Sequence, residues 1–143
     1  MQVAGQTKAH PLERFLAVTG ALACLVITII LWLGISTYQS MWPLPGLYFI
    51  EMVALGILSA FTFFRADPRD RFITWGAVGV ICAFSILGAF SVGFFYLPVA
   101  LIFAIISLSS DVRNKQGLLA HLGVCLLAGL AQVVLMLAVI GLL

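Results

Sequence analysis

The chain has 143 residues, of which 64% are apolar and only 8% are charged, whereas a soluble domain carries about 25% charged residues. This composition excludes a water-soluble globular fold. The net charge of +2 comes from small clusters of Lys and Arg, which suit an anionic membrane surface but are too small to indicate nucleic-acid binding.

The first apolar segment runs from Phe15 to Ser36 without a formal charge. Lys8 and Arg14 precede it, as basic residues precede the apolar core of a signal peptide, but this stretch is too long for a cleaved one. A turn containing two prolines and a glycine follows at residues 42–46, and these residue types break helices. We therefore predict a retained first transmembrane span.

The second apolar segment covers residues 46–64 and stops at the charged turn of residues 65–71. From Phe72 to Ser110 no residue carries a formal charge. As one helix this stretch would be roughly 58 Å long, about twice the hydrocarbon thickness of a bilayer, so it must cross twice. We predict the break near residues 91–93, with Pro98 in the first turn of the next helix, where a missing amide is tolerated.

A last apolar run begins at Gly117 and completes five predicted spans in a single all-α transmembrane domain over residues 1–143. The predicted limits of the spans are 15–36, 46–64, 72–90, 94–109 and 117–142. With five spans, all seven Lys and Arg residues lie on one side, and such loops face the cytoplasm. We predict a five-helix bundle with a cytoplasmic N-terminus, an external C-terminus and a cytoplasmic loop from Asp111 to Lys115.

Small residues four apart allow transmembrane helices to approach closely. The third predicted span is the richest in such pairs, with Gly79 four residues before Ala83 and Ser85 four before Ala89. We therefore predict that the third span is central. The turn after it is short, which predicts a tight antiparallel hairpin with the fourth span.

Glu51 is the one ionisable acid within a predicted span. Such a residue is a functional hypothesis by default, because a carboxylate that faces the bundle can carry a proton or bind a cation. In the structural alternative, the carboxylate reaches the external surface or forms a hydrogen bond with Tyr38, Gln39 or Ser91. Changing Glu51 to Gln distinguishes the two interpretations.

His121 and Cys125 are four residues apart and share one face of the last span. Cys24 and Cys82 are predicted at a depth similar to that of Cys125, and thiols with an imidazole are ligands for soft metals. No pair has a recognised metal-binding spacing, and cysteine is common in packed helices, so we predict free thiols and no metal. Gln132 needs a hydrogen-bond partner, which predicts a contact with another helix or subunit.

The sequence contains no recognisable nucleophile with a base and an orienting acid, no paired carboxylates and no glycine-rich phosphate loop. We therefore predict a protein that is not an enzyme and has no cofactor. The leading hypothesis is an accessory or structural subunit of a larger membrane complex, or a homo-oligomer, whose partners are the lipid bilayer and other membrane subunits. The alternative is a small transporter or channel in which Glu51 handles protons or cations. A lipid or quinone site between helices is a third hypothesis.

The string from Gly88 to Pro98, GAFSVGFFYLP, resembles one found in small, uncharacterised bacterial multi-spanning membrane proteins. The resemblance covers one hairpin. It implies a multi-pass protein of a bacterial plasma (inner) membrane, and it implies no activity, since likeness of fold alone does not establish function.

Overall fold

The computed structural model describes residues 10–38, 44–65, 67–88, 92–114 and 117–142, and the regular structure in these segments is helical. Five α-helices are present in the described segments. They are α1 (Pro11–Ser36), α2 (Leu44–Arg65), α3 (Arg71–Leu87), α4 (Leu97–Asn114) and α5 (Leu118–Leu142). Short 3-10 turns precede α3 (Pro68–Asp70) and α4 (Gly93–Tyr96). The all-α prediction is confirmed.

Four of these helices are long and apolar enough to cross a membrane: α1, α2, α4 together with its preceding 3-10 turn, and α5. Helix α3 is also apolar but has 17 residues. Its length is about 26 Å at 1.5 Å per residue, slightly less than the roughly 30 Å of a hydrocarbon core. The prediction of apolar helices long enough to cross a membrane is thus confirmed for four of the five spans, and α3 is shorter.

Helix α1 begins four residues before the predicted span because its first turn is capped. The His10 side chain accepts a hydrogen bond from the backbone N–H of Leu12, and the Glu13 carboxylate accepts one from the backbone N–H of His10. Pro11 occupies the first helical position, where its missing amide costs nothing. This capping box extends the helix into the charged N-terminal segment.

The predicted loop from Asp111 to Lys115 is wrong in its first part. Helix α4 continues through Asn114, and Asp111 is 1% exposed. A charge in an apolar interior is costly unless it has partners, and Asp111 has them, as described below. Lys115 lies outside the described residues.

The break between α3 and α4 depends on two glycines. The backbone N–H of Gly93 donates to the carbonyl of Gly88 at 2.9 Å, and a Cβ on Gly93 would lie 2.7 Å from the Gly88 Cα. The chain therefore reverses through a backbone contact that a side chain at either position would obstruct. The break falls where it was predicted, Pro98 lies in the first turn of α4, and residues 89–91 lie outside the described segments.

Helices α1 to α4 form a closed four-helix arrangement, and α5 packs on its outside. Helix α1 contacts α2 and α4, while α3 contacts α2, α4 and α5. The interior is filled by large side chains that are almost fully buried, namely Phe49, Met52, Phe63, Ile81, Tyr96, Val99, Phe103 and Ile106. Helix α3 therefore occupies the central position that its small residues predicted.

The helices alternate in direction, so their charged ends meet. Side-chain hydrogen bonds join the start of α1 to the end of α4, the end of α2 to the start of α3, and the start of α5 to the end of α4. The pairs are Glu13 with Arg113, Thr62 with Thr74, and His121 with Asp111. We call this side of the bundle the charged end.

Candidate functional site

Asp111 is the centre of a buried polar group at the charged end. Its Oδ2 atom accepts a hydrogen bond from Trp75 Nε1 at 2.8 Å and lies 2.7 Å from His121 Nδ1. All three side chains are buried, and the Phe72 ring packs edge-on against the His121 ring at 4.6 Å. One carboxylate oxygen therefore links α4 to both α3 and α5.

A second carboxylate, that of Glu13, links α1 to α4. Arg113 Nη2 donates to Glu13 Oε2 at 2.8 Å, and the same oxygen accepts from the backbone N–H of His10 at 2.9 Å. Glu13 is buried but Arg113 is partly exposed, so the pair itself contributes modestly, on the order of 1 kcal/mol or less. Its larger role is to provide a hydrogen-bond donor for the carboxylate that also caps α1.

Arg71 is the third element of this group and is 4% exposed. Its guanidinium lies over the Phe63 ring, 5.1 Å from the ring centre, and the charges that act on it most strongly are those of Asp111 and then Glu13. We call Glu13, Arg71, Asp111, Arg113 and His121 the charged-end cluster. With a neutral imidazole its formal charges cancel, which lowers the cost of burying them.

The second polar site joins α2 and α5. Gln132 Nε2 donates to Glu51 Oε2 at 3.2 Å; Gln132 is buried and Glu51 is partly buried. Of the two contacts considered for Gln132, with another helix or with another subunit, the structure shows one with another helix, and its partner is the residue singled out as the ionisable acid of α2. Tyr38, one of the partners considered for Glu51, is 90% exposed and forms no hydrogen bond with it, while Gln39 and Ser91 lie outside the described residues.

The contact between Glu51 and Gln132 predicts a measurable coupling in a double-mutant cycle. Interhelical hydrogen bonds in membrane proteins contribute about 0.6 kcal/mol on average and up to about 1.7 kcal/mol. We expect Glu51→Ala and Gln132→Ala to be non-additive in unfolding free energy by an amount in this range. Met136→Ala is the matched control, because Met136 is buried one turn further along α5 and makes no hydrogen bond with Glu51. If the effects on unfolding free energy were additive for Glu51 with Gln132 as well as for Glu51 with Met136, the contact would not stabilise the fold.

The three cysteines do not come together. Cys24 Sγ donates to the Met52 carbonyl between α1 and α2, whereas Cys82 and Cys125 line an apolar groove of about 260 Å³ between α3 and α5. All three thiols are free. Within the described segments, no group of three or more His, Cys, Asp or Glu side chains could hold a metal ion. His121 and Cys125 thus share a helix face but have different neighbours.

Sequence reasoning missed Asp111, Arg71, Glu13 and Trp75 as site residues. Asp111 and Arg71 were assigned to a loop and a turn because they are charges at the ends of apolar segments. One signal was available for Glu13. It stands three residues after His10 and two before the apolar run that begins at Phe15, a spacing at which an acid caps a helix start.

No protein-family model, curated protein or solved structure matches this chain. The resemblance of residues 88–98 to bacterial multi-spanning proteins therefore stays a prediction.

Proposed function

We propose that the protein is a non-catalytic integral membrane protein that acts through contacts within the membrane. It serves as an accessory or structural subunit of a larger membrane complex, or as a homo-oligomer, in a bacterial plasma (inner) membrane. In this proposal all five helices cross the bilayer, the charged end and the N-terminus face the cytoplasm, and the C-terminus is external.

The uncovered apolar faces of α5 and α1 support this proposal most directly. Within its most apolar stretch, α5 has 11% of its residues buried inside the chain and α1 has 22%, compared with 44% for α4. Among the described residues, the large apolar side chains that are more than 60% exposed on these two helices are Leu119, Leu126, Leu127, Leu130 and Val134 on α5, and Leu12, Phe15, Ile30 and Leu33 on α1. Lipid tails are as apolar as these side chains and would cover the faces equally well, but the faces are also the surfaces of the chain that are open to further transmembrane helices.

The position of α3 supports a fifth crossing. It packs between α2 and α4 and against α5, and all three are long and apolar enough to span. The charged end includes Arg14, Arg71 and Arg113, which lie in the terminal turns of α1, α3 and α4. Basic residues concentrate on the cytoplasmic side of membrane proteins, which supports the proposed orientation.

Photo-crosslinking in native membranes tests the proposed contacts. A photoreactive residue is placed at Leu130 on α5, Ile30 on α1 or Ile105 on α4, three positions with nearly equal exposure. We expect protein adducts at Leu130 or Ile30 to exceed those at Ile105, because most partners of α4 lie within the chain. Mass spectrometry of the assembly purified in nanodiscs then distinguishes foreign subunits from a homo-oligomer. Lipid adducts alone at all three positions, together with a monomer, would contradict the proposal.

A small transporter or channel is the second candidate, and the partly buried carboxylate of Glu51 favours it. The interior of the bundle is filled by aromatic and aliphatic side chains, so a pathway would have to form between copies of the chain. Glu51→Gln removes the charge and keeps a group that can hydrogen-bond to Gln132. If this candidate is correct, we expect proton or cation flux in liposomes that Glu51→Gln abolishes; no flux, or flux unchanged by the substitution, would contradict it.

A further inference from the structure

Two arginines at the charged end lie over aromatic rings near the end of α2. The guanidinium carbon of Arg65 is 5.2 Å from the centre of the Phe61 ring, and that of Arg14 on α1 is 5.9 Å from the centre of the Phe64 ring. Phe61 and Phe64 are three residues apart on α2, a spacing at which side chains on a helix are neighbours. The fold therefore brings basic side chains from two separate segments of the sequence to one face, which we call the α1–α2 face.

The charges on this face are not compensated within the described part of the chain. The ion pairs found among the described residues involve neither Arg14 nor Arg65. Arg65 is exposed, Arg14 is partly exposed, and the two rings beneath them are exposed as well. A guanidinium is planar and carries several N–H donors, so one that lies over a ring can still donate to an anion in its own plane. The face therefore offers donors to an external anion.

An apolar surface continues from these rings along α2. Ile50, Ile57, Phe61 and Phe64 follow one another at intervals of seven, four and three residues, which places them on one face of the helix, and all four are exposed. A groove of about 330 Å³ between α1 and α2 includes Ile50 and Ile57 in its walls, together with Trp32 of α1. The α1–α2 face thus has a basic end and an apolar groove in line with it.

The distance between these two parts matches one leaflet of a bilayer. Ile57 stands eight residues before Arg65 on α2, or about 12 Å along the helix at 1.5 Å per residue. One leaflet has a hydrocarbon depth of roughly 15 Å, half that of the whole core. An acyl chain whose headgroup lies beside the arginines would therefore reach the groove.

An anionic phospholipid complements both parts of the face. Its phosphate accepts charge-assisted hydrogen bonds from guanidinium groups, and basic pockets between transmembrane helices are sites at which acidic headgroups bind. A soluble anion would use the arginines but leave the rings and the groove uncovered. A lipid without net charge would cover the groove but leave the two positive charges uncompensated.

We propose that the α1–α2 face is a binding site for an anionic phospholipid. Arg14 and Arg65 donate hydrogen bonds to its headgroup. An acyl chain passes Phe61 and Ile57 and enters the groove between α1 and α2. The site goes beyond the proposed assembly role, since it needs only the insertion of α1 and α2 in a bilayer and no partner subunit.

Native mass spectrometry of the purified full chain tests the site. The protein is equilibrated in mixed micelles with equal amounts of dioleoyl phosphatidylglycerol and dioleoyl phosphatidylcholine, whose acyl chains are identical, so a difference in retention comes from the headgroup. We expect phosphatidylglycerol to be preferred by roughly fivefold for each arginine, or roughly 25-fold in total. Equal retention of the two lipids would overturn the proposal.

Arginine variants locate the preference on this face. Arg14→Gln combined with Arg65→Gln should abolish it. Arg69→Gln is the matched control, because Arg69 is exposed and is not among the arginines found over aromatic rings in the described segments. We expect this control to keep the preference. An equal loss in the control would mean that overall charge, and not the α1–α2 face, selects the lipid.

A groove variant and a soluble competitor test the acyl chain and the kind of ligand. Ala54 also lines the groove, and Ala54→Leu should lower the retention of both lipids while leaving their ratio unchanged. Unchanged retention would contradict the passage of a chain through the groove. Inorganic phosphate at the lipid concentration should not displace phosphatidylglycerol; displacement would assign the arginines to a soluble anion. If the double arginine variant does not fold, the lipid comparison and Ala54→Leu decide.

Discussion

Replacing Asp111 with Ala is expected to lower the free energy of unfolding by about 3–5 kcal/mol, the range for removing one partner of a buried charged group. The substitution leaves the Trp75 N–H and the His121 imidazole without their shared acceptor. It also removes the acid that acts most strongly on buried Arg71, so the loss affects three helices at once. Denaturant unfolding in mixed micelles, followed by tryptophan fluorescence, measures it.

Two further variants test this expectation. One is a control at another acid, and the other removes the charge of Asp111 but keeps a hydrogen-bond acceptor. Asp70→Ala is the matched control, because Asp70 precedes α3 without a side-chain capping bond, and we expect it to change stability by less than about 0.5 kcal/mol. Asp111→Asn keeps a carbonyl oxygen for Trp75 and is expected to fall between the two. If Asp111→Ala were no more destabilising than Asp70→Ala, the buried polar group would have no role in holding the helices together.

The helices were predictable from the sequence because lipid imposes a simple length rule. A charge-free run about twice the bilayer thickness had to break, and the two glycines near its middle form the break, where the backbone N–H of Gly93 donates to the Gly88 carbonyl. Four helices are long and apolar enough to cross a membrane, as predicted. The helix limits shifted mainly at the charged end, where local capping at Glu13 and tertiary contacts at Asp111 extend α1 and α4.

The polar pairs were not predictable, because they depend on how helices dock rather than on local pattern. Glu51 and Gln132 were both recognised as residues that need partners in an apolar interior. That they are each other's partner follows from the placement of α5 on α3, which no spacing in the sequence reveals. Asp111 was assigned to a loop for the same reason. Its partner Trp75 lies on another helix, 36 residues earlier, and without that partner a charge at this position belongs in water.

The docking of α5 depends on Gly79, and Gly79→Ala is expected to lower the free energy of unfolding by about 1–3 kcal/mol or more. A Cβ at this position would lie far inside van der Waals contact of the Cys125 carbonyl oxygen, 2.9 Å from its carbonyl carbon and 3.1 Å from the Gly129 nitrogen. These are backbone atoms, so no side-chain rotation relieves the clash. The two helices would have to separate along their largest contact.

Two glycines on α5 provide controls for this substitution, because a Cβ at each would make less contact than a Cβ at Gly79. A Cβ on Gly129 would approach the Gly79 carbonyl oxygen at 3.2 Å, whereas a Cβ on Gly123 would meet nothing within 4 Å. We expect Gly129→Ala to have an intermediate effect. Gly123→Ala should be neutral or stabilising, by up to about 1 kcal/mol from helix propensity. The same unfolding measurement ranks the three variants. Equal effects at Gly79 and Gly123 would mean that the close backbone approach of α3 and α5 does not hold α5 in place, and that α5 is free to dock elsewhere.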